Sequence, residues 1–105
     1  MWEGDLLRAI QSAFQERQLR FTVHGLREAT ADEITVQAVR DAIIGGDVEV
    51  IEDYPDYPRG PSCLLLAWIA DRTPLHVLVS YPPDVAVITV YVPDAERWID
   101  YRARR

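Results

Sequence analysis

The feature that most constrains this chain is a change of period at Gly45-Gly46. Before it, apolar residues recur every three or four positions. After it, they alternate or run continuously, in blocks broken by Pro, Gly and Asp. The first spacing lays side chains along one helix face, and a period of two belongs to a strand. The blocks fall at 47–53, 63–70, 75–80 and 86–92. No link between them reaches the dozen or so residues that a parallel crossover needs, so neighbouring blocks are expected to be antiparallel. Pro55, Pro58, Gly60 and Pro61 mark 54–61 as a loop rather than part of a ladder. Block 63–70 is almost wholly apolar, as expected of a central strand covered on both faces. Block 86–92 is β-branched nearly throughout, and Pro93 stops it.

Upstream, Leu6, Leu7, Ile10, Ala13 and Phe14 predict an amphipathic helix over 5–18. Phe21, Thr22 and Val23 form a short extended piece. Leu26, Arg27, Glu28 and Ala29 favour a short helix within 24–31, which Gly25 weakens. Thr35 is a good N-cap, and Ile34 and Val39 are spaced as a hydrophobic staple, so a helix is expected over 36–44. Gly45-Gly46 is expected to end it with a left-handed residue. Asp94 is expected to cap a short final helix from Ala95 to Trp98 or a little beyond. These elements predict an α+β fold, with N-terminal helices packed on a four-stranded antiparallel meander, a short extra strand and a short C-terminal helix. A chain of 105 residues is the size of a single domain, 1–105, in which 1–18 is the N-terminal helix.

Charge narrows the function classes. There are 11 arginines and no lysine against 17 acidic residues, for a net charge of −6. Nucleic-acid-binding domains are usually basic, because phosphate neutralisation supplies most of their affinity. Asp41, Asp47, Glu49, Glu52, Asp53 and Asp56 form an acidic stretch, while Arg97, Arg102, Arg104 and Arg105 gather at the end. Such patches attract a partner or a second copy. No apolar run approaches the roughly 20 residues of a membrane span, and the start shows no secretory signal, so the expected compartment is cytoplasmic. The single cysteine, Cys63, heads an apolar run and reads as a small buried hydrophobe.

Motifs for nucleotide cradles, zinc proteolysis or serine nucleophiles are absent. The candidates are therefore single residues. His24 and His76 are the only imidazoles, the natural general acid and base near neutral pH. Either also reads as a surface or hydrogen-bonded structural histidine. Glu52 stands where a strand runs into the proline loop, beside Asp53 and Tyr54. Tyr91, Arg97 and Arg102 are candidate phosphate contacts. His24, Glu28 and Asp32 have a spacing that nitrogen and oxygen metal sites also use, but spacing of this kind is common by chance, so no metal and no other cofactor is expected. Trp98, among arginines near the terminus, is the tryptophan most suited to an interface.

In chain order His24, Ile34-Thr35, Val39, Ala42-Ile43, Gly46-Asp47-Val48, residues 51–55, residues 60–64, residues 74–77, residues 88–91, Pro93-Asp94 and Trp98 form a pattern. The most specific pieces are 51–55, 74–77 and 89–91. From about residue 19 to 105 the chain resembles an uncharacterised bacterial and cyanobacterial domain family similar to the BrnT and RelE-like toxins. Members are often paired with MqsA-like zinc-finger antitoxins. The resemblance implies a RelE/BrnT-like fold and a toxin-like half of a toxin–antitoxin pair. It also implies a metal-independent endoribonuclease, with His24, His76 and Glu52 at the family's histidine and acidic positions. Many members carry arginines where this chain has Glu28 and Asp32. The alternative expectation is a non-enzymatic module that binds a protein partner or dimerises through the sheet and residues 98–105.

Overall fold

The computed structural model describes residues 2–69 and 72–105. Among the described residues, three helices and a five-stranded sheet are built from α1 (Trp2–Gln15), β1 (Leu19–Phe21), α2 (Val23–Ala31), α3 (Val36–Gly45), β2 (Glu49–Tyr54), β3 (Ser62–Ile69), β4 (Thr73–Ser80) and β5 (Val85–Tyr91). A separate two-stranded ribbon follows, β6 (Trp98–Ile99) and β7 (Ala103–Arg104). The sheet order is β1-β5-β4-β3-β2. β2, β3, β4 and β5 are antiparallel neighbours in chain order. The sheet is nevertheless mixed and five-stranded, because β1 joins its edge parallel to β5, with Phe21 opposite Val87. The break expected between blocks 63–70 and 75–80 starts outside the described residues, and β4 already begins at Thr73.

Alternation sorts the strands into two faces. Cys63, Leu65 and Ala67 of β3, Leu75, Val77 and Val79 of β4, and Val85, Val87 and Val90 of β5 are buried in the main core. Against them pack Leu6, Ile10 and Phe14 of α1, Ala29 of α2, and Val39, Ala42 and Ile43 of α3. Burial pushes the Cys63 thiol up to about 12, so it is an inert core group. The two outer helices are tied reciprocally: Arg40 donates to the Phe14 and Gln15 carbonyls at 3.0 and 3.1 Å, and Gln11 donates to the Ile43 carbonyl at 3.0 Å. A cation on the last carbonyls of α1 also suits the helix dipole.

The helix ends differ from expectation in an informative way. Thr35 caps α3 as expected, accepting from the Ala38 N–H at 3.0 Å. Gly46, however, is extended (φ −115°, ψ −174°) rather than left-handed. The left-handed terminators are Arg17 after α1 (φ 59°) and Glu33 after α2 (φ 58°). In each case two crossed bonds close the end: Gln18 N to Ala13 O and Arg17 N to Phe14 O, then Ile34 N to Ala29 O and Glu33 N to Thr30 O. Thus α1 stops at Gln15 and not at 18.

Gly25 does not prevent α2; it lets the helix reach the sheet. A Cβ at Gly25 would lie 2.5 Å from the Val87 carbonyl oxygen. Thr22 caps this helix, accepting from Gly25 N at 2.9 Å, and its own N–H donates to Val87 O at 3.0 Å. Among the described residues, no helix is long and apolar enough to cross a membrane.

Candidate functional site

Among the described residues, no helix covers the second face of the sheet. Alternation puts Glu52 and Tyr54 of β2, Leu64 and Leu66 of β3, His76 and Leu78 of β4, and Tyr91 of β5 there. Leu66 stands opposite His76, which stands opposite Tyr91. The C-terminal ribbon closes over part of this face. The final helix expected from Ala95 does not form. Asp94 caps only a single turn, accepting from Glu96 N at 2.9 Å, and the chain then doubles back. Asp100 and Tyr101, both at positive φ (52° and 60°), make the reversal, and Arg102 N closes it on Ile99 O at 3.0 Å. The ribbon exchanges helical hydrogen bonds for burial of Trp98, which is 5% exposed. Trp98 is therefore an internal anchor rather than the interface residue its position suggested.

His76 lies under this cover with no exposed surface. Its ring meets Trp98 edge-on at 4.4 Å and Tyr91 at 5.2 Å. Both ring nitrogens have partners. Nε2 lies 2.7 Å from the Tyr101 carbonyl oxygen, and Nδ1 lies 3.1 Å from the Tyr91 hydroxyl. A carbonyl only accepts, so Nε2 carries the proton. Burial pushes the imidazole below its ordinary value, although the Tyr101 carbonyl and the Glu52 charge pull it the other way. The ring is therefore neutral, Nδ1 is an acceptor, and the Tyr91 hydroxyl donates to it.

In front of this pair lies an ionised group. Arg104 grips Glu52 with two bonds, Nε to Oε2 at 2.8 Å and Nη2 to Oε1 at 3.0 Å, and the Tyr54 hydroxyl donates to the same carboxylate. Burial pushes Glu52 up, but the hydrogen bonds from Arg104 and Tyr54 outweigh it and hold the carboxyl below its ordinary value. Arg104 also stands 4.6 Å over the Trp98 ring, a cation–π contact. Desolvation raises both Tyr54 and Tyr91, so both phenols stay protonated.

The remaining sequence candidates are dispersed. His24 is exposed on the first turn of α2 and is not a hydrogen-bond partner of His76, so the structure does not join the two imidazoles. Asp32 accepts from Val92 N at 3.1 Å, and among the described residues no three His, Cys, Asp or Glu gather as metal ligands. Arg97 is exposed. Arg102 is committed to Glu49, with its shortest contact at 2.6 Å, and to Asp100 at 2.9 Å. With Arg104 on Glu52, the basic tail thus neutralises the acidic strand β2 within the chain. The Arg102 pairs are partly exposed and contribute little individually, whereas the Glu52 side chain under Arg104 is mostly buried. Sequence reasoning missed the Tyr101 carbonyl and the lid role of Trp98. The signal for both was weak: Asp100 tolerates a left-handed conformation, but Tyr101 is not a residue that announces one.

The three segments that carry the most specific part of the sequence pattern, 51–55, 74–77 and 89–91, meet here through Glu52, Tyr54, His76 and Tyr91. No curated protein and no solved structure matches the chain. The chain belongs to the family described as a domain of unknown function, DUF4258, whose model matches residues 21–92, a span that includes all four of these residues and stops short of the C-terminal ribbon.

Proposed function

We propose that this chain is the toxin-like member of a two-protein pair, related to the RelE and BrnT toxins, and that it cleaves RNA without a metal. The observation that carries this reading is the convergence of three distant strand segments and the C-terminal ribbon on one partly exposed group of ionisable side chains, Glu52, Tyr54, Tyr91 and Arg104, backed by His76. Metal-free RNA cleavage needs a base for the 2′-hydroxyl, an acid for the leaving oxygen and a cation for the phosphate charge. Glu52, ionised at neutral pH, is the base. Tyr91, protonated, is the acid: its one hydroxyl proton, which rests on His76 Nδ1, turns to the leaving 5′-oxygen, and water restores it afterwards. Arg104 exchanges part of its grip on Glu52 for the phosphate. His76 acts through Tyr91, as a positioning residue rather than the acid itself, and His24 has no part in the step.

Induced expression of the chain in bacteria is expected to arrest growth, and Glu52→Gln to relieve the arrest at equal protein level. Arrest that survives Glu52→Gln contradicts the assignment. A second reading, a non-enzymatic binding module, is favoured by the net charge of −6. It is the reading that stands if expression of the wild-type chain leaves growth unchanged.

A further inference from the structure

Beside the Glu52 group, the uncovered part of the sheet face forms a cleft of about 590 Å³, within the usual size of small-molecule sites. Tyr54 borders both. The floor includes Leu78, and the walls include Tyr57 and Arg59 from the proline loop, Tyr81, and Arg20 from β1. We propose that this cleft binds one nucleotide unit, its base stacked on Tyr57 and its phosphate on Arg59. The inference rests on the RNA-directed reading and names where the strand is held beside the reacting groups.

Three observations carry it. First, the charged residues of the lining are Arg20, Arg59 and Asp84, one positive charge in excess on a chain of net charge −6. The cleft is thus locally suited to an anion. Second, Arg20 is already paired with Asp84 at 3.2 Å, whereas Arg59 has no ion-pair or hydrogen-bond partner among the described residues. A cation left unmatched at the mouth is available to a phosphate. Third, the aromatic residues are unequally committed. The Tyr81 hydroxyl donates to Asp53, and the Tyr54 hydroxyl to Glu52. Tyr57 is 53% exposed, with no side-chain partner among the described residues, two positions before Arg59 in the loop. An exposed ring beside an unmatched guanidinium suits a flat base carrying a phosphate.

That chemistry has two sources, a free nucleotide or an unpaired nucleotide within a single strand. The probe is a labelled single-stranded RNA octamer, 2′-O-methylated so that its 2′-oxygens cannot attack, followed by fluorescence anisotropy with the full chain. Tyr57→Ala and Arg59→Ala each weaken octamer binding about tenfold, and Arg59→Ala also flattens the salt dependence by about one phosphate contact. Both side chains are exposed and unpartnered, so both variants keep the fold. Competition by AMP or UMP at concentrations comparable to octamer nucleotide assigns the site to free nucleotides. Binding of the octamer without such competition assigns it to single strands. Absence of octamer and mononucleotide binding, or octamer binding indifferent to both substitutions, overturns the proposal. Failure of the cleavage reading looks different: the octamer binds in a Tyr57- and Arg59-dependent way, while unmodified RNA stays intact.

Discussion

Trp98→Ala is expected to lower the unfolding free energy by about 3 to 5 kcal/mol, the usual cost of truncating a buried aromatic to alanine. Trp98 is nearly fully buried, meets His76 edge-on and carries Arg104 on its face, so its loss releases the ribbon from the sheet. The same substitution should change the pH dependence. In the intact fold His76 lies below its unfolded value of 6.5. As pH falls below about 6.5, the unfolded chain takes up a proton that the native imidazole does not, so stability declines with falling pH. Glu49 and Glu52, both held low, add their own loss only as pH falls below their unfolded value of 4.5. With Trp98 gone, water reaches His76, its value returns toward 6.5, and the decline just below 6.5 flattens. Urea unfolding at several pH values, together with an NMR titration of the His76 ring, reads both effects. A Trp98→Ala protein of unchanged stability, with His76 still titrating below 6.5, would show that the ribbon does not seal the histidine.

The second large effect is expected at Gly25. By helix propensity alone, Gly25→Ala gains about 1 kcal/mol. The structure predicts the opposite sign, a loss of about 1 to 3 kcal/mol, near the upper end of that range. The added methyl would lie 2.5 Å from the Val87 carbonyl oxygen, and this obstacle is backbone in a paired strand, not the end of a flexible side chain. To make room, α2 must lift from β5, straining the Thr22 cap and its bond to Val87. The urea midpoint of the variant decides the sign. A midpoint at or above that of the wild type would mean that α2 is not seated on β5 as described.

What could be read in the sequence follows from which forces are local. The Thr35 cap and the four late strands were legible because their signals lie within a few residues: a cap side chain, a period of two, prolines at the turns. Gly25 was read by its propensity, as a weak helix residue, because its reason for being glycine lies 62 positions away, at Val87. The parallel pairing of β1 was hidden for the same reason, three residues being too few for a periodic signal. Gly45-Gly46 marked the end of α3 but not its conformation, and the end of α1 carried no glycine to mark it. Arg17 and Glu33 adopt left-handed conformations because Gln18 and Ile34 then close the last turns, whereas Gly46 is extended.

At the candidate site, Glu52, His76 and Tyr91 were each identified singly, and the sheet register brings them together. The partnership of His76 with His24 failed to appear because α2 carries His24 to an exposed position, while the ribbon encloses His76. A short helix from Ala95 to Trp98 or a little beyond was expected where that ribbon begins. The ribbon's actual course depends on Trp98 finding a seat on the sheet and on two non-glycine residues, Asp100 and Tyr101, adopting positive φ. The opposite charges of β2 and the tail were legible as patches. Only the fold shows that Arg102 and Arg104 spend them on Glu49 and Glu52 of the same chain.

The most direct test is a cleavage assay with the purified chain, unmodified single-stranded RNA and a metal chelator throughout. The account predicts that the wild type cuts RNA under these conditions and that Tyr91→Phe, which keeps the ring but removes the acid, slows cutting by about 100-fold or more. Removing that hydroxyl leaves His76 Nδ1 unpaired at a cost of about 1 to 3 kcal/mol, so circular dichroism must show the variant folded at the assay temperature. RNA left intact by the wild-type chain, or cut at the same rate by a folded Tyr91→Phe protein, would contradict the account.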